Sequence, residues 1–158
     1  MEKILSITGI DAAKSVAVVD NLKVLLANFQ VYYTNLRGFH WHITGNQFFM
    51  LHEEFEKMYD DTAEKVDELA ERILQLGASP ENRFSELLKV SQIDEVTGIE
   101  KADKAIDNIF DSIKKLIAQE RMVLSAAQEA NDEVTVALMG DYLAEQEKLV
   151  WMLTAYTK

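Results

Sequence analysis

The chain has 158 residues, enough for one domain with a real core, and 48% of them are hydrophobic. Its 27 acids against 16 bases give a formal charge of −11, which repels phosphate backbones and argues against nucleic acid as a partner. The absence of cysteine excludes disulfides and thiolate metal sites. No run approaches the ~18 apolar residues of a membrane span, and no basic-then-apolar leader is visible, so a cytoplasmic location is expected.

One proline and six glycines among many Ala, Leu, Glu and Lys predict a mostly helical chain. Residues 1–10 show no clear period and read as an N-terminal tail within a single domain, 1–158. From about Asp11, Val16, Val19, Leu22, Leu26, Phe29, Tyr33 and Leu36 recur at steps of three and four, and the next step is His40. This first helix should end near His42, where Thr44-Gly45-Asn46 supplies a stop and a cap. A second helix should run from about Asn46 to Leu76, its core stripe being Leu51, Phe55, Met58, Thr62, Leu69, Ile73 and Leu76. Gly77 is its stop. Residues 77–98 form the longest connection, with a short helix at 84–90.

Thr97-Gly98-Ile99-Glu100 fits a capping box opening a third helix. Its stripe is Ala102, Ile106, Ile109, Ile113, Leu116, Val123 and Ala127. Asn131-Asp132 closes that helix and caps a fourth over about 133–154. Four helices with one long crossover predict an all-α four-helix bundle.

The stretch from His40 to Arg72 holds all three histidines and a dense run of acids. Imidazole nitrogens and carboxylate oxygens at helical spacing are ligands for a transition metal. On a wheel of roughly 100° per residue, Glu56, Asp67 and Glu71 fall within about 100° of His52, while the core stripe is centred roughly 130° away. These groups therefore face away from the bundle's own core. Glu56 and Asp67 are separated by roughly 16 Å of helix axis, too far to meet on one ion. Either each chain carries two separate half-sites, or two chains complete a site between them. Two such helices packed antiparallel about a twofold axis would bring His52 and Glu56 of one chain to Asp67 and Glu71 of the other, with His40 joining the first set.

Glu53, Glu56, Asp60, Glu64, Asp67 and Glu71 also form an acidic ridge that Lys57 and Lys65 only partly neutralise. A cation-attracting face and a solvated face both account for it. His42 reads as neighbouring structure, and Trp41 and Trp151 as core or interface aromatics. Di-iron bundles with an internal site use Glu-x-x-His. Arg37, Phe39 and Phe49 precede the three histidines by three residues, so that motif is absent.

The chain resembles the Dps family of mini-ferritins over nearly its whole length. The resemblance rests on His40-Trp41, Gly45, Phe48, His52-Glu53, Asp67 and Ala70-Glu71-Arg72, then Asn131-Asp132 with Thr135, and Glu147-Lys148 with Trp151-Met152-Leu153. It implies a ferritin-like bundle assembled as a hollow dodecamer, with iron sites shared across a twofold interface, two per interface. His40, His52 and Glu56 would come from one subunit and Asp67 and Glu71 from its neighbour. It implies ferroxidase activity toward Fe(II), preferentially with hydrogen peroxide, storage of Fe(III) mineral and protection from oxidative stress, with Zn2+ as a substitute ion. Glu53 and Asp60 would nucleate mineral, Glu133 would line a pore, and Trp41 would take up oxidising equivalents. Relatives that bind DNA often carry a basic tail. Here residues 1–14 have no net charge, so no strong DNA binding is expected. Ala137 stands where an acid is common in the pore. The competing readings are a DNA-compacting protein with a secondary metal site and a helical scaffold with a vestigial one.

Overall fold

The computed structural model describes residues 2–158. Of the expected N-terminal tail, Met1 lies outside the described residues and Glu2–Thr8 form a helix, α1. Seven residues give two turns, too few for a period to show in sequence. Asp11 then caps α2, Ala12–His42, its carboxylate accepting from the backbone amides of Ala13 and Lys14 at 2.8 and 3.2 Å. Such a cap is worth ~1 kcal/mol.

Helix α2 packs against three other helices: α3 (Phe48–Gln75), α5 (Ala102–Ala130) and the short α4 (Phe84–Val90). Its buried surface is therefore broader than one stripe, taking in Leu22, Leu25, Leu26, Phe29, Tyr32 and Leu36. Val16, expected in the core, is exposed because the inward face at that turn takes Ser15 instead. The core residues expected on α3 are all buried. Its end is a Schellman-type stop: Gly77 adopts φ +77°, its amide donates to Leu74 and that of Ala78 to Ile73.

After Gly77 the chain crosses the bundle along α2. Two buried asparagines two turns apart on α2 hold it there. Asn28 Oδ1 accepts from the Gln92 amide at 2.7 Å, while Asn35 accepts from Val96 and donates to the Asp94 carbonyl. The capping box expected at Thr97–Glu100 does not form. The Glu100 carbonyl is instead engaged by the Thr44 amide at 3.0 Å, tying this segment to the α2–α3 link, and Lys101 occupies the N-cap of α5 without a side-chain bond. At the other end Asn131 turns left-handed (φ 54°), and Asp132 caps α6, Glu133–Tyr156.

The four long helices form the expected bundle, with α4 inside the long link. Helices α3 and α6 meet mainly through long side chains, and a cavity lies between them. Among the described residues no helix is long and apolar enough to cross a membrane.

Candidate metal centre

The five-residue link between α2 and α3 places the last turn of α2 beside the first turns of α3. His40 and His52 meet there. Their rings stack at 3.7 Å between centroids and 19° between planes. Nδ1 of His40 lies 2.7 Å from the His52 carbonyl, and Nδ1 of His52 lies 2.8 Å from the His40 carbonyl. A carbonyl only accepts, so each Nδ1 must carry the proton and donate. In the neutral rings both Nε2 atoms are then free lone pairs, the tautomer a metal ligand requires. The pairing also serves the fold: the His40 carbonyl belongs to the last turn of α2, where intrahelical donors have run out.

Two aromatic rings confine the pair. Phe48 stacks on His52 at 5.0 Å, and Tyr59 meets His40 edge-on at 5.4 Å. Desolvation, then the neighbouring Glu56 and Asp60 charges, raises the Tyr59 phenol above its usual pKa. His40 is buried and His52 half-buried, while Glu56 is exposed.

Asp67 and Glu71 are exposed one turn apart near the far end of α3 and make no ion pair among the described residues. Their helix is nevertheless held firmly. Buried Arg72 donates to Asp132 Oδ1 at 2.6 Å, to Thr135 Oγ1 at 2.8 Å and to Gln75 Oε1 at 2.9 Å. Burial alone would raise the Asp132 carboxyl, but the bonds from Arg72 and Thr135 outweigh it and hold the group below its usual pKa. His52 and Asp67 are fifteen residues apart, roughly 22 Å along the axis. No group of three or more His, Asp or Glu among the described residues is placed to hold a metal ion within one chain: Asp67 and Glu71 are too distant, and Glu56 does not close on the histidine pair as a third ligand.

The other residues singled out by sequence make contacts of their own or face solvent. Glu53 is exposed and paired with Lys57 at 2.8 Å, a contact that lowers its pKa. Asp60 is exposed on α3, and Glu133 is exposed in the first turn of α6. Trp41 is 61% exposed, with the Arg37 guanidinium 4.9 Å from its ring, and Trp151 is 67% exposed. Neither tryptophan belongs to this chain's core. His42 is exposed and outside the pair. The sequence names Phe48, Arg72, Asp132 and Thr135 but not their contacts: the packing of Phe48 and Tyr59 on the histidines and the clamp from Arg72 to Asp132 and Thr135 emerge only in the fold. A charged residue on the buried arc of α3, three after Leu69 and four before Leu76, was the available signal for the clamp.

A profile of the ferritin-like domain matches residues 19–158. The chain is 55% identical over 156 residues to a protein of Porphyromonas gingivalis named "DNA protection during starvation protein", covering 99% of this chain and 98% of that one. Among solved structures, the Dps protein of Vibrio cholerae O1, described as a member of the ferritin-like diiron-carboxylate proteins, superposes with a TM-score of 0.92 at 48% identity, covering 94% of each chain. A Dps protein of Bacillus brevis superposes with a TM-score of 0.89 at 34% identity, covering 94% of this chain and all of that one.

Proposed function

The chain belongs to the Dps family of ferritin-like proteins, and we propose that it is a ferroxidase that oxidises Fe(II), stores the Fe(III) and so protects against oxidative stress. The observation that carries this reading is the reciprocal His40–His52 pair, which fixes two Nε2 lone pairs at one end of α3 while Asp67 and Glu71 wait at the other. Two chains related by a twofold axis complete two equivalent sites. Each takes His40, His52 and Glu56 from one subunit and Asp67 and Glu71 from its neighbour. Large apolar side chains exposed on the single chain, Phe49 and Phe84 among them, support assembly with further copies. The assembly proposed is a hollow dodecamer in the cytoplasm.

Fe(II) is the substrate. The imidazoles hold a borderline ion, and the carboxylates stabilise the higher charge of Fe(III). Hydrogen peroxide is the preferred oxidant: two Fe(II) supply the two electrons one peroxide takes, and with two waters two FeOOH units form with release of four protons. Delivering both electrons avoids one-electron cleavage to hydroxyl radical. In this reading Glu53 and Asp60 help nucleate the oxide, Glu133 lines an entry pore, and Trp41 absorbs stray oxidising equivalents. Zn2+ fits the same nitrogen and carboxylate set but has no redox chemistry, so it would compete without turnover.

A DNA-compacting role has less behind it. The charge is −11, residues 1–14 carry no net charge, and the last residues offer only Lys158, leaving little for counterion release to act on. The deciding experiment adds Fe(II) and peroxide anaerobically to wild type and to a His52→Ala/Asp67→Ala variant, following Fe(III) absorbance and the peroxide consumed per iron. The variant should lose fast oxidation. Equal rates in both would sink the assigned site.

A further inference from the structure

Arg72 follows Glu71 directly in the chain, yet the two side chains part: Glu71 is exposed, and Arg72 is buried on the arc that also holds Leu69 and Ile73. Its planar fork uses three nitrogens. Nε donates to Thr135 Oγ1, Nη2 to Asp132 Oδ1 and Nη1 to Gln75 Oε1. The receiving end is itself braced. The Thr135 hydroxyl donates to Asp132 Oδ2 at 2.6 Å, and the Thr135 amide donates to Asp132 Oδ1 at 3.1 Å. The guanidinium therefore sits against a fixed frame at the start of α6.

This matters for the roll of α3 about its own axis. Apolar packing at Leu69 and Ile73 is non-directional, whereas hydrogen bonds weaken steeply off line. Helical side chains reach roughly 5–6 Å from the axis, so a roll of about 10° carries Glu71 and Asp67 sideways by ~1 Å. A misplacement of ~1 Å can cost about a hundredfold in rate.

We propose that Arg72 is a positioning residue for iron oxidation, a role that rests on the shared site proposed above. Its clamp onto Asp132 and Thr135 fixes the roll of α3 and so places Asp67 and Glu71 in the neighbouring subunit's site. The effect of Arg72 should then follow the chain that supplies the acids.

The test uses two complementary full-length chains reassembled together. A His40→Ala/His52→Ala chain supplies the acids and an Asp67→Asn/Glu71→Gln chain supplies the histidines, so each mixed dimer holds one intact site. Arg72→Lys is then added to one chain or the other. Lysine keeps a positive charge beside Asp132 but lacks the fork. In the acid-supplying chain it should lower the Fe(II) oxidation rate per site, and the Zn2+ affinity measured by calorimetry, by roughly 10–100-fold. In the histidine-supplying chain it should change neither. Thr135→Val in the acid-supplying chain removes the acceptor of Nε, leaves the ion pair, and should give a smaller loss of both. Equal losses with Arg72→Lys in either chain would reduce Arg72 to a general prop and overturn the proposal, as would no loss in either. A parental mixture with Arg72 intact that neither oxidises Fe(II) nor binds Zn2+ would defeat the shared site itself, and the proposal with it.

Discussion

Along the α2–α3 seam the contacts are apolar or stacked: Phe39 meets Phe55 at 6.0 Å, and the two histidine rings lie face to face. Along the α3–α6 seam they are polar and long. Arg72 reaches Asp132 and Thr135, Lys65 reaches Glu145, and the Tyr142 hydroxyl donates to Glu68 at 2.7 Å. The same helix thus presents a packed flank, a bridged flank and a third, exposed face carrying Glu56, Asp67 and Glu71. Close packing and the two carbonyl bonds hold the histidine rings together. The bridges fix the axial position of α3 while leaving room behind them. The exposed acids inherit their placement from both flanks and need no partners of their own.

The largest expected effect breaks the division of labour between the two ends of α3. A His40→Ala/His52→Ala chain and an Asp67→Asn/Glu71→Gln chain should each lose more activity than the roughly 10–100-fold that outer-sphere changes cause at metal sites. Unfolded together and reassembled, they should regain about a quarter of the sites. Half the dimers are mixed, and each mixed dimer holds one intact site. No recovery in well-assembled mixtures would mean that the two halves do not meet across a subunit boundary.

The bridged flank should be the more fragile in stability. Arg72→Ala strands the Asp132 carboxylate in a buried setting, at a cost of about 3–5 kcal/mol, read as a large fall in thermal midpoint. The Asp132 pKa is depressed in the folded protein, so the stability it contributes is present above its unfolded pKa and disappears as pH falls through the folded one. The gap between wild type and Arg72→Ala should therefore narrow in acid. A constant gap from neutral to strongly acid pH would show that the ion pair is not what Arg72 contributes.

A smaller effect sits behind that seam. Glu120 is fully buried, and desolvation, only partly offset by its bond from Gln146, pushes its carboxyl up to about 7. A raised carboxylate pKa means the fold favours the protonated form. Its contribution is most favourable below the unfolded value near 4.5 and is eroded as pH rises to about 7. Glu120→Gln should be nearly neutral at pH 5 and stabilising by on the order of 1–3 kcal/mol at pH 8. Denaturant midpoints at the two pH values would show it, and a variant equally or less stable at both would remove the neutral-acid reading.

Much of this architecture was legible because helices advertise their buried arcs. The α3 stripe, the Gly77 stop and the Asn131-Asp132 turn follow from periodicity and from backbone angles that few residues adopt. The separation of the histidines from Asp67 and Glu71 followed from helical rise alone. What stayed hidden depends on partners distant in sequence. Thr97–Glu100 has the letters of a capping box, but the helix starts only at Ala102, and Glu100 is instead tied through its carbonyl to Thr44, fifty-six residues away. Asn28 and Asn35 look like polar interruptions of a core stripe until the link they hold is in place. The ring stacking at His40 and His52 needs the hairpin itself. Spacing by twelve says that they can be near each other, and only the fold says that each grips the other's backbone.

That mutual grip has a bearing on the life of a container. Many metal-binding proteins let the ion organise its own surroundings, and they slacken when it leaves. Here the imidazoles already have an occupation: each closes the hairpin by bonding the other residue's carbonyl. In the site proposed above, the nitrogens left for the ion are the ones the architecture does not use. Filling and emptying can then alternate without the vessel being rebuilt, as befits something meant to stand ready before anything arrives.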